Sequence, residues 1–458
     1  MRILIAGGGE VAALIARRLS REGNEIVVLE QDSDRCAHLE ETLDAKVVRG
    51  SAASVAAMRA AGIRDADMLI AVTSIDEVNL LACLIAQAES QVKVKVARLR
   101  THEVDHWRRI CKESGVKIDL IIHPESEMAR RIRPVLSAPG VSDIIEFAGG
   151  RVKLFGMTVE RGSWVEGKTV VDLDRAGPPK NSLIAMIFRG SQVIIPHGAQ
   201  VLQADDQLYI ITAVDEFEQT LEFMGLQRPV APERVFILGG KQLGIQLAEE
   251  LEQQGVAVKI FEKDMQRCRK ISEILNKTIV VHGDGTDAAT LTDENIKGIG
   301  AYLALTNDDE DNLIASMLAR RLGARKVVAL INKLTYLPMA QRLGISTHVS
   351  PRLTTVDRIL QFVRKGRVLS VTTFREEEAE AIELIASPDS RYVGRQLKDV
   401  PLPREAIVGA IVRPTGEVIV PRGGTTIEAG DRVIFFTLER IVPKLESAFL
   451  AEGRRERR

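Results

Sequence analysis

The feature that most restricts what this chain can fold into is a repeat of long period. Arg2-Ile3-Leu4-Ile5-Ala6-Gly7-Gly8 returns 232 positions later as Arg234-Val235-Phe236-Ile237-Leu238-Gly239-Gly240, and Val28-Leu29-Glu30 returns at the same offset as Ile260-Phe261-Glu262. Asp76-Glu77-Val78-Asn79 matches Asp309-Glu310-Asp311-Asn312 with the offset grown to 233. Further on, Ala204-Asp205-Asp206-Gln207-Leu208-Tyr209 resembles Ala429-Gly430-Asp431-Arg432-Val433-Ile434 at an offset of 225. The 458 residues therefore read as four units in the order A-B-A′-B′. The expected domains are 1–140, 141–226, 232–366 and 367–452, with the proline-bearing stretch 225–232 as linker between halves.

In the first A unit, β-branched runs at 3–6, 26–30, 46–48, 68–72 and 94–98 alternate with helical patterns at 12–21, 36–43, 54–61 and 77–89. Strands alternating with helices of this length imply a parallel, doubly wound sheet. The fold class expected is thus α/β: two tandem Rossmann-type sheets, each followed by a small α+β domain. The B units alternate apolar and polar residues in short segments such as 182–188, 192–195 and 207–212, separated by Gly, Pro and Asp-Asp turns.

Doubly wound sheets bind ligands where the strand order reverses, beyond the carboxyl ends of the strands. Gly7-x-Gly9-x-x-Ala12 lies between a predicted strand and a predicted helix, the setting in which this pattern carries meaning. Gly7 permits the tight turn, Gly9 lets backbone approach a pyrophosphate, and Ala12 allows close helix packing. Glu30 closes the next strand, where an acid is expected to hold a ribose diol; its charge disfavours a 2′-phosphate and so favours NAD or adenosine nucleotides over NADP. Gly50, followed by Ser51 and Ala52, is placed to run along the adenosine. Thr73 and Ser74 face the same crevice from the fourth strand. Arg98 and Arg100, on the fifth, point there too, to pair with a phosphate or with Glu30 or Glu77. In A′, Gly239-x-Lys241-x-x-Gly244 puts a long side chain where the phosphate-approach glycine belongs. Glu262, Gly283 and Thr306-Asn307 are retained, so A′ is expected either to take a mononucleotide beside Lys241 or to be a structural copy.

Several classes are disfavoured. A net charge of −1 provides no basic field for nucleic acid or an anionic membrane. The apolar runs fall far short of the roughly 18 residues a span requires, and the first residues run directly into a strand, so no signal peptide is expected. Any membrane role must come through a partner. Cys36, Cys83, Cys111 and Cys268 form no C-x-x-C pair, which suggests reduced thiols in a cytoplasm. Of the 7 histidines none recurs between halves, as a duplicated catalytic site would require. His102 and His106 read as a surface pair, and no nucleophile or metal motif is present. The basic end 453–458 reads as a solvated tail.

The A-B-A′-B′ order, Gly7-Gly8-Gly9-Glu10-Val11, Glu30, Ala71-Val72-Thr73, Asp76-Glu77-x-Asn79 and Ala97-Arg98 resemble the TrkA family, cytoplasmic regulators of bacterial Trk potassium uptake. His282-Gly283-Asp284-Gly285-Thr286-Asp287 and Thr306-Asn307-Asp308-Asp309-Glu310-Asp311-Asn312 resemble that family's second half. The resemblance implies domains of the kind that regulate potassium conductance (RCK or KTN), NAD(H) and ATP or ADP as ligands, and no catalysis. It also implies a homodimer or homotetramer ring on the cytoplasmic face of a membrane-embedded potassium transporter. By the same resemblance the ligand residues are Gly7, Gly8, Gly9, Glu10, Val11, Glu30, Thr73, Ser74 and Arg98, with Gly239, Glu262, Thr306 and Asn307 in the second half. Lys241 departs from the pattern, and Leu330 stands where Arg98 has its counterpart. The rival readings are a soluble NAD-linked oxidoreductase and the regulator of a different transporter. Helices at 125–135 and 352–363 read as the crossovers that follow the two sheets and as candidates for packing between subunits.

Overall fold

The computed structural model describes residues 1–449 except 102, 191, 346, 364–367, 375–378 and 391. His102 and the basic tail lie outside the described residues. The chain divides into two compact units: Met1–Met128 together with Ser350–Val363, and the remaining described residues.

The first unit is built on a parallel sheet of β1 (Arg2–Ala6), β2 (Glu25–Glu30), β3 (Lys46–Arg49), β4 (Met68–Ala71), β5 (Val94–Arg98) and β6 (Leu120–Ile122). The spatial order is β3-β2-β1-β4-β5-β6, so the strand order reverses between β1 and β4. The sheet is buried on both faces. Leu4, Val27, Leu29, Leu69 and Ala71 pack under Met58, Ala82, Ile85 and Ala86. The alternate residues Ile3, Ile5, Ile26, Val28, Ile70 and Val96 turn to the other side, beneath Ile15, Leu19 and Leu39.

That second face is not closed by the first half alone. Val356, Ile359 and Leu360, from the helix Pro351–Val363, complete its core. The helix read from sequence as the crossover of the second half thus covers the first half's sheet within one chain. Ion pairs flank it, Glu10 with Arg352 and Glu127 with Arg358 at 3.6 Å. Partly exposed pairs contribute about 0–1 kcal/mol each, whereas each of the three buried aliphatic side chains contributes about 1.5–3 kcal/mol. Apolar burial is what holds the helix there.

The second unit contains the antiparallel sheet of β7 (Val141–Phe147), β8 (Val152–Thr158), β9 (Ser182–Arg189), β10 (Gln192–Ile194) and β11 (Gln207–Ala213), in the order β10-β9-β11-β8-β7. It also contains the second parallel sheet, of β12 (Arg234–Leu238), β13 (Ala257–Glu262), β14 (Ile279–His282), β15 (Ala301–Ala304), β16 (Val327–Leu330) and β17 (His348–Val349). Its order, β14-β13-β12-β15-β16-β17, repeats that of the first. The last sheet, β18 (Val368–Phe374), β19 (Ala379–Ile385), β20 (Ala406–Val412), β21 (Val418–Ile419) and β22 (Arg432–Leu438), has the topology of the first antiparallel sheet.

The two antiparallel sheets share one core. Phe188, Tyr209 and Ile211 meet Phe374, Ala381, Ile434 and Phe436, with the rings of Tyr209 and Phe374 4.7 Å apart. Each sheet carries the same buried ion pair. Arg189 forks onto Asp206 with two contacts of 2.7 Å, and Arg413 meets Asp431 at 2.6 Å. These aspartates are the repeated acids of the turns before β11 and β22.

Lys326, just before β16, is nearly fully buried. Its ammonium nitrogen donates to the carbonyls of Ala138 at 2.8 Å and Val141 at 2.7 Å, the turn that leads into β7. Burial pushes this amine down to about 7 from 10.5, against the partial support of Asp143. Unfolding therefore takes up a proton between those two pH values, and the burial cost, present in full below the lower one, recedes as pH rises toward the upper. In urea unfolding, the stability of the wild type relative to Lys326→Met is expected to rise between about pH 7 and pH 9; a gap independent of pH would contradict this burial.

Candidate functional site

The crevice at the switch point of the first sheet is assembled from five strand ends, those of β1 to β5. Gly7 follows β1 with φ +106°, a left-handed conformation, and a Cβ there would stand 3.1 Å from the Thr73 backbone. Gly239 repeats it at φ +105° against Leu305 and Thr306. The first turn of each sheet is thus pressed onto the end of the strand across the reversal.

Gly9 caps the helix Glu10–Arg21 with extended backbone and no side-chain bond. The amides of this first turn are those that helix geometry leaves unpaired, and they carry the positive end of the helix dipole. A Cβ built on Gly9 would meet nothing within 4 Å. Gly8, by contrast, has no room, since Glu30 and Leu39 carbons lie 2.7 Å from such an atom. Val11 sends its side chain into the core and presents only its backbone to the crevice. Glu10 is exposed, and its carboxylate pairs with Arg352.

Glu30 is buried at the end of β2. Its carboxylate accepts from the amide of Gly8 and from those of Gln31 at 2.8 Å and Asp32 at 2.9 Å. The acid expected to meet a ribose also fastens the glycine loop to the following turn. Glu262 does the same in the second half, accepting from Gly240 at 3.1 Å and Asp264 at 3.0 Å, with Arg267 at 3.4 Å. Beneath each acid lies a thiol: Cys36 donates to the carbonyl of Glu30, and Cys268 to that of Glu262, both at 3.4 Å. Burial, then the adjacent carboxylate, pushes both thiols up, which keeps them protonated and unreactive.

Across the reversal, Thr73 and the exposed Ser74 follow β4, as Thr306 and the exposed Asn307 follow β15. Asn79, fully buried in the helix Asp76–Glu89, organises this side. Its amide oxygen accepts from the Thr73 amide and hydroxyl, both at 2.8 Å, and its nitrogen donates to the carbonyls of Thr73 at 3.1 Å and Arg98 at 2.8 Å. Asn312 makes the same four contacts with Thr306 and Leu330. The sequence alone gives neither asparagine a role. The signal available was an uncharged polar residue kept at one position of both copies while Val78 became Asp311.

The Arg98 guanidinium donates to the Thr73 carbonyl at 2.9 Å rather than pairing with Glu30 or Glu77, and its Nε is buried without a partner. Arg100 lies past the end of β5 and pairs with Glu125 at 3.6 Å. Gly50 follows β3, and its amide donates to the Glu30 carbonyl at 2.8 Å. The structure thus gathers Gly7, Gly8, Gly9, Glu30, Gly50, Thr73 and Arg98 about one crevice. It assigns Glu10 an ion pair at the edge and leaves the Val11 side chain to the core.

Lys241 occupies the Gly9 position with the same extended backbone, φ −87° and ψ −177° against −73° and 177°, and its side chain is exposed. The backbone of the second loop is therefore that of the first, and the difference is confined to one side chain.

The profile of the TrkA-N domain family matches residues 3–124 and 235–351, and that of the TrkA-C domain family residues 154–225 and 381–450. The Trk system potassium uptake protein TrkA of Halomonas elongata is 38% identical over 96% of both chains, and that of Vibrio alginolyticus 34% over 98% of both. A TrkA homolog of Archaeoglobus fulgidus is 35% identical over 98% of this chain and all of its own. Among solved structures, the GsuK channel bound to NAD superposes with a TM-score of 0.59 at 20% identity, over 98% of this chain and 78% of that one. The GsuK RCK domain does so with a TM-score of 0.58, over 98% and 95%. These structural likenesses establish the fold.

The open space beside Gly9 separates folding from binding. Gly9→Ala is expected to leave the protein folded, its unfolding free energy lowered by no more than about 1 kcal/mol, the scale of a poorer residue at a helix N-cap. The methyl group would stand where a phosphate must approach, so NADH affinity measured by calorimetry is expected to fall at least about tenfold, or about 1.4 kcal/mol. Unchanged affinity would remove Gly9 from the site.

Proposed function

The chain belongs to the TrkA family of potassium-uptake proteins, and on that premise we propose that it is a nucleotide-sensing regulatory subunit of a membrane potassium transporter. The observation that carries this reading is the first crevice, where a helix N-terminus left open at Gly9, with no side-chain cap, stands beside a buried acid, Glu30, at the end of the neighbouring strand. Its residues suit NAD(H) or an adenine nucleotide such as ATP or ADP: backbone amides for phosphate, and a carboxylate for a ribose diol. The GsuK channel, whose chain shares this fold, has been solved bound to NAD.

The crevice is also placed to transmit occupancy. Ligand between Gly9 and Ser74 bridges the two sides of the reversal, and Glu10, beside Gly9, is paired to Arg352 on the helix that completes the sheet. A ligand shifts a conformational equilibrium only by the difference in its affinity for the two states. A bound nucleotide that drew the loop toward β4 would favour one seating of that helix over another.

Among the described residues no helix is long and apolar enough to cross a membrane, so attachment to the membrane would run through the transporter. Self-assembly has a matching surface in each half. Leu81 and Leu84 are exposed on the helix Asp76–Glu89, and their counterparts Ile314 and Met317 are exposed on Asp309–Arg321. A repeated apolar pair kept at the surface is what a ring of homo-oligomeric contacts would bury. Leu84→Asp together with Met317→Asp is expected to yield a smaller species in sedimentation velocity with unchanged unfolding; an unchanged sedimentation coefficient would count against these faces.

The decisive experiment is purification of the tagged protein from detergent-solubilised membranes of its own cells, without nucleotide, with NADH and with ATP. A multi-pass potassium transporter is expected to co-purify in an amount that depends on the nucleotide. Recovery of no membrane protein under all three conditions would overturn the regulatory reading.

A further inference from the structure

The two crevices share a backbone and differ in the charges that cross them. In the second sheet the order β14-β13-β12-β15 places the ends of β14 and β15 three strand spacings apart, or about 14 Å. Asp284 lies two residues beyond β14, and Asp311 lies in the first turn of the helix that follows β15. Lys263 directly follows β13, between them. Its ammonium is 3.2 Å from Asp284 and 3.6 Å from Asp311. One cation therefore draws carboxylates from both rims together over the ends of β13 and β12. In a switch-point crevice that is the path of the adenosine and pyrophosphate.

The clasp is anchored at its ends. The second oxygen of Asp284 accepts from the Thr286 amide at 2.9 Å and hydroxyl at 2.6 Å, and the Lys263 carbonyl lies 3.1 Å from His282 Nε2. The bond to Asp284 and then the charge of both carboxylates hold the ammonium above its ordinary range. In the first half the corresponding residues are Gln31, Ser51 and Val78, which form no such bridge.

We propose that Lys263, clasping Asp284 and Asp311, closes the second crevice to dinucleotides jointly with Lys241, leaving one dinucleotide site per chain. This rests on the reading of the first crevice as an NAD(H) site. The closure does not depend on the strength of the bridge, since half-exposed ion pairs contribute about 0–1 kcal/mol each. It depends on what opening leaves behind. Displacing Lys263 would set two unpaired carboxylates against the two negative charges of a pyrophosphate. Lys241 puts a side chain at the position where, in the first loop, Gly9 leaves the phosphate open backbone.

The test is the stoichiometry of NADH binding to the intact protein by calorimetry. The wild type is expected to bind one NADH per chain, and Gly9→Lys none. The triple variant Lys241→Gly, Lys263→Gln, Asp311→Val is expected to bind two, a doubling, and one when Gly9→Lys is added. All four positions face solvent or open space, and unchanged thermal unfolding would verify that each variant folds. A wild type that binds two NADH per chain, falling to one with Gly9→Lys, overturns the closure while sparing the first site. A triple variant that still binds one also overturns it. A wild type that binds none overturns the reading of the first crevice and the closure with it.

Discussion

A parallel sheet must be covered on both faces, and the first sheet of this chain borrows part of its cover from residues 351–363. Val356, Ile359 and Leu360 fill the groove beside the helix Glu10–Arg21, over Ile3, Ile5 and Val28. The glycine loop and Glu30 extend from strands whose outer face is covered by that packing, and Asn79 is bonded to the ends of two more. The crevice of the first half is thus supported by a helix from the far end of the second. The duplication has produced a first half that draws on the second for its cover, rather than two independent copies in tandem.

Within each crevice the fastening is polar and repeated. Glu30 and Glu262 tie the first turn to the second strand, and Asn79 and Asn312 tie the fourth strand to the fifth. Each of these groups is buried with its hydrogen bonds made internally, which keeps the strand ends in register while the mouth stays solvated. Such a scaffold has two stiff sides and a gap that a ligand can span. The two gaps differ in charge, since the first offers helix amides and the second is bridged by Lys263.

Much of this was legible in the amino-acid order. The repeat located both sheets, Gly7-x-Gly9 and Glu30 marked the crevice, and strand alternation at 182–188 and 207–212 located the small domain. What escaped was of two kinds. Periodicity finds the helix at 352–363 but not the sheet it covers, since both sheets present the same kind of apolar groove. Single charged letters, moreover, do not announce burial or partnership. Lys326 reads like any surface lysine, and Lys263, Asp284 and Asp311 read as solvated charges because they are far apart along the chain. Asn79 follows the acids Asp76 and Glu77, and nothing in that stretch marks it as the buried member.

The borrowed helix also has a place in time. It leaves the ribosome only after residues 129–350 have been made, which at about 5–20 residues per second is a wait of roughly 10–45 s. Throughout that interval the nascent first half holds an apolar groove that its own residues do not fill. It is then a client for whatever shields hydrophobic surface in the cell, and another nascent copy bearing the same helix is an equally good match for it. Chains translated side by side could therefore complete one another's sheets. The order of synthesis, and not only the final free energy, then has a hand in which chain's helix ends up beneath which crevice.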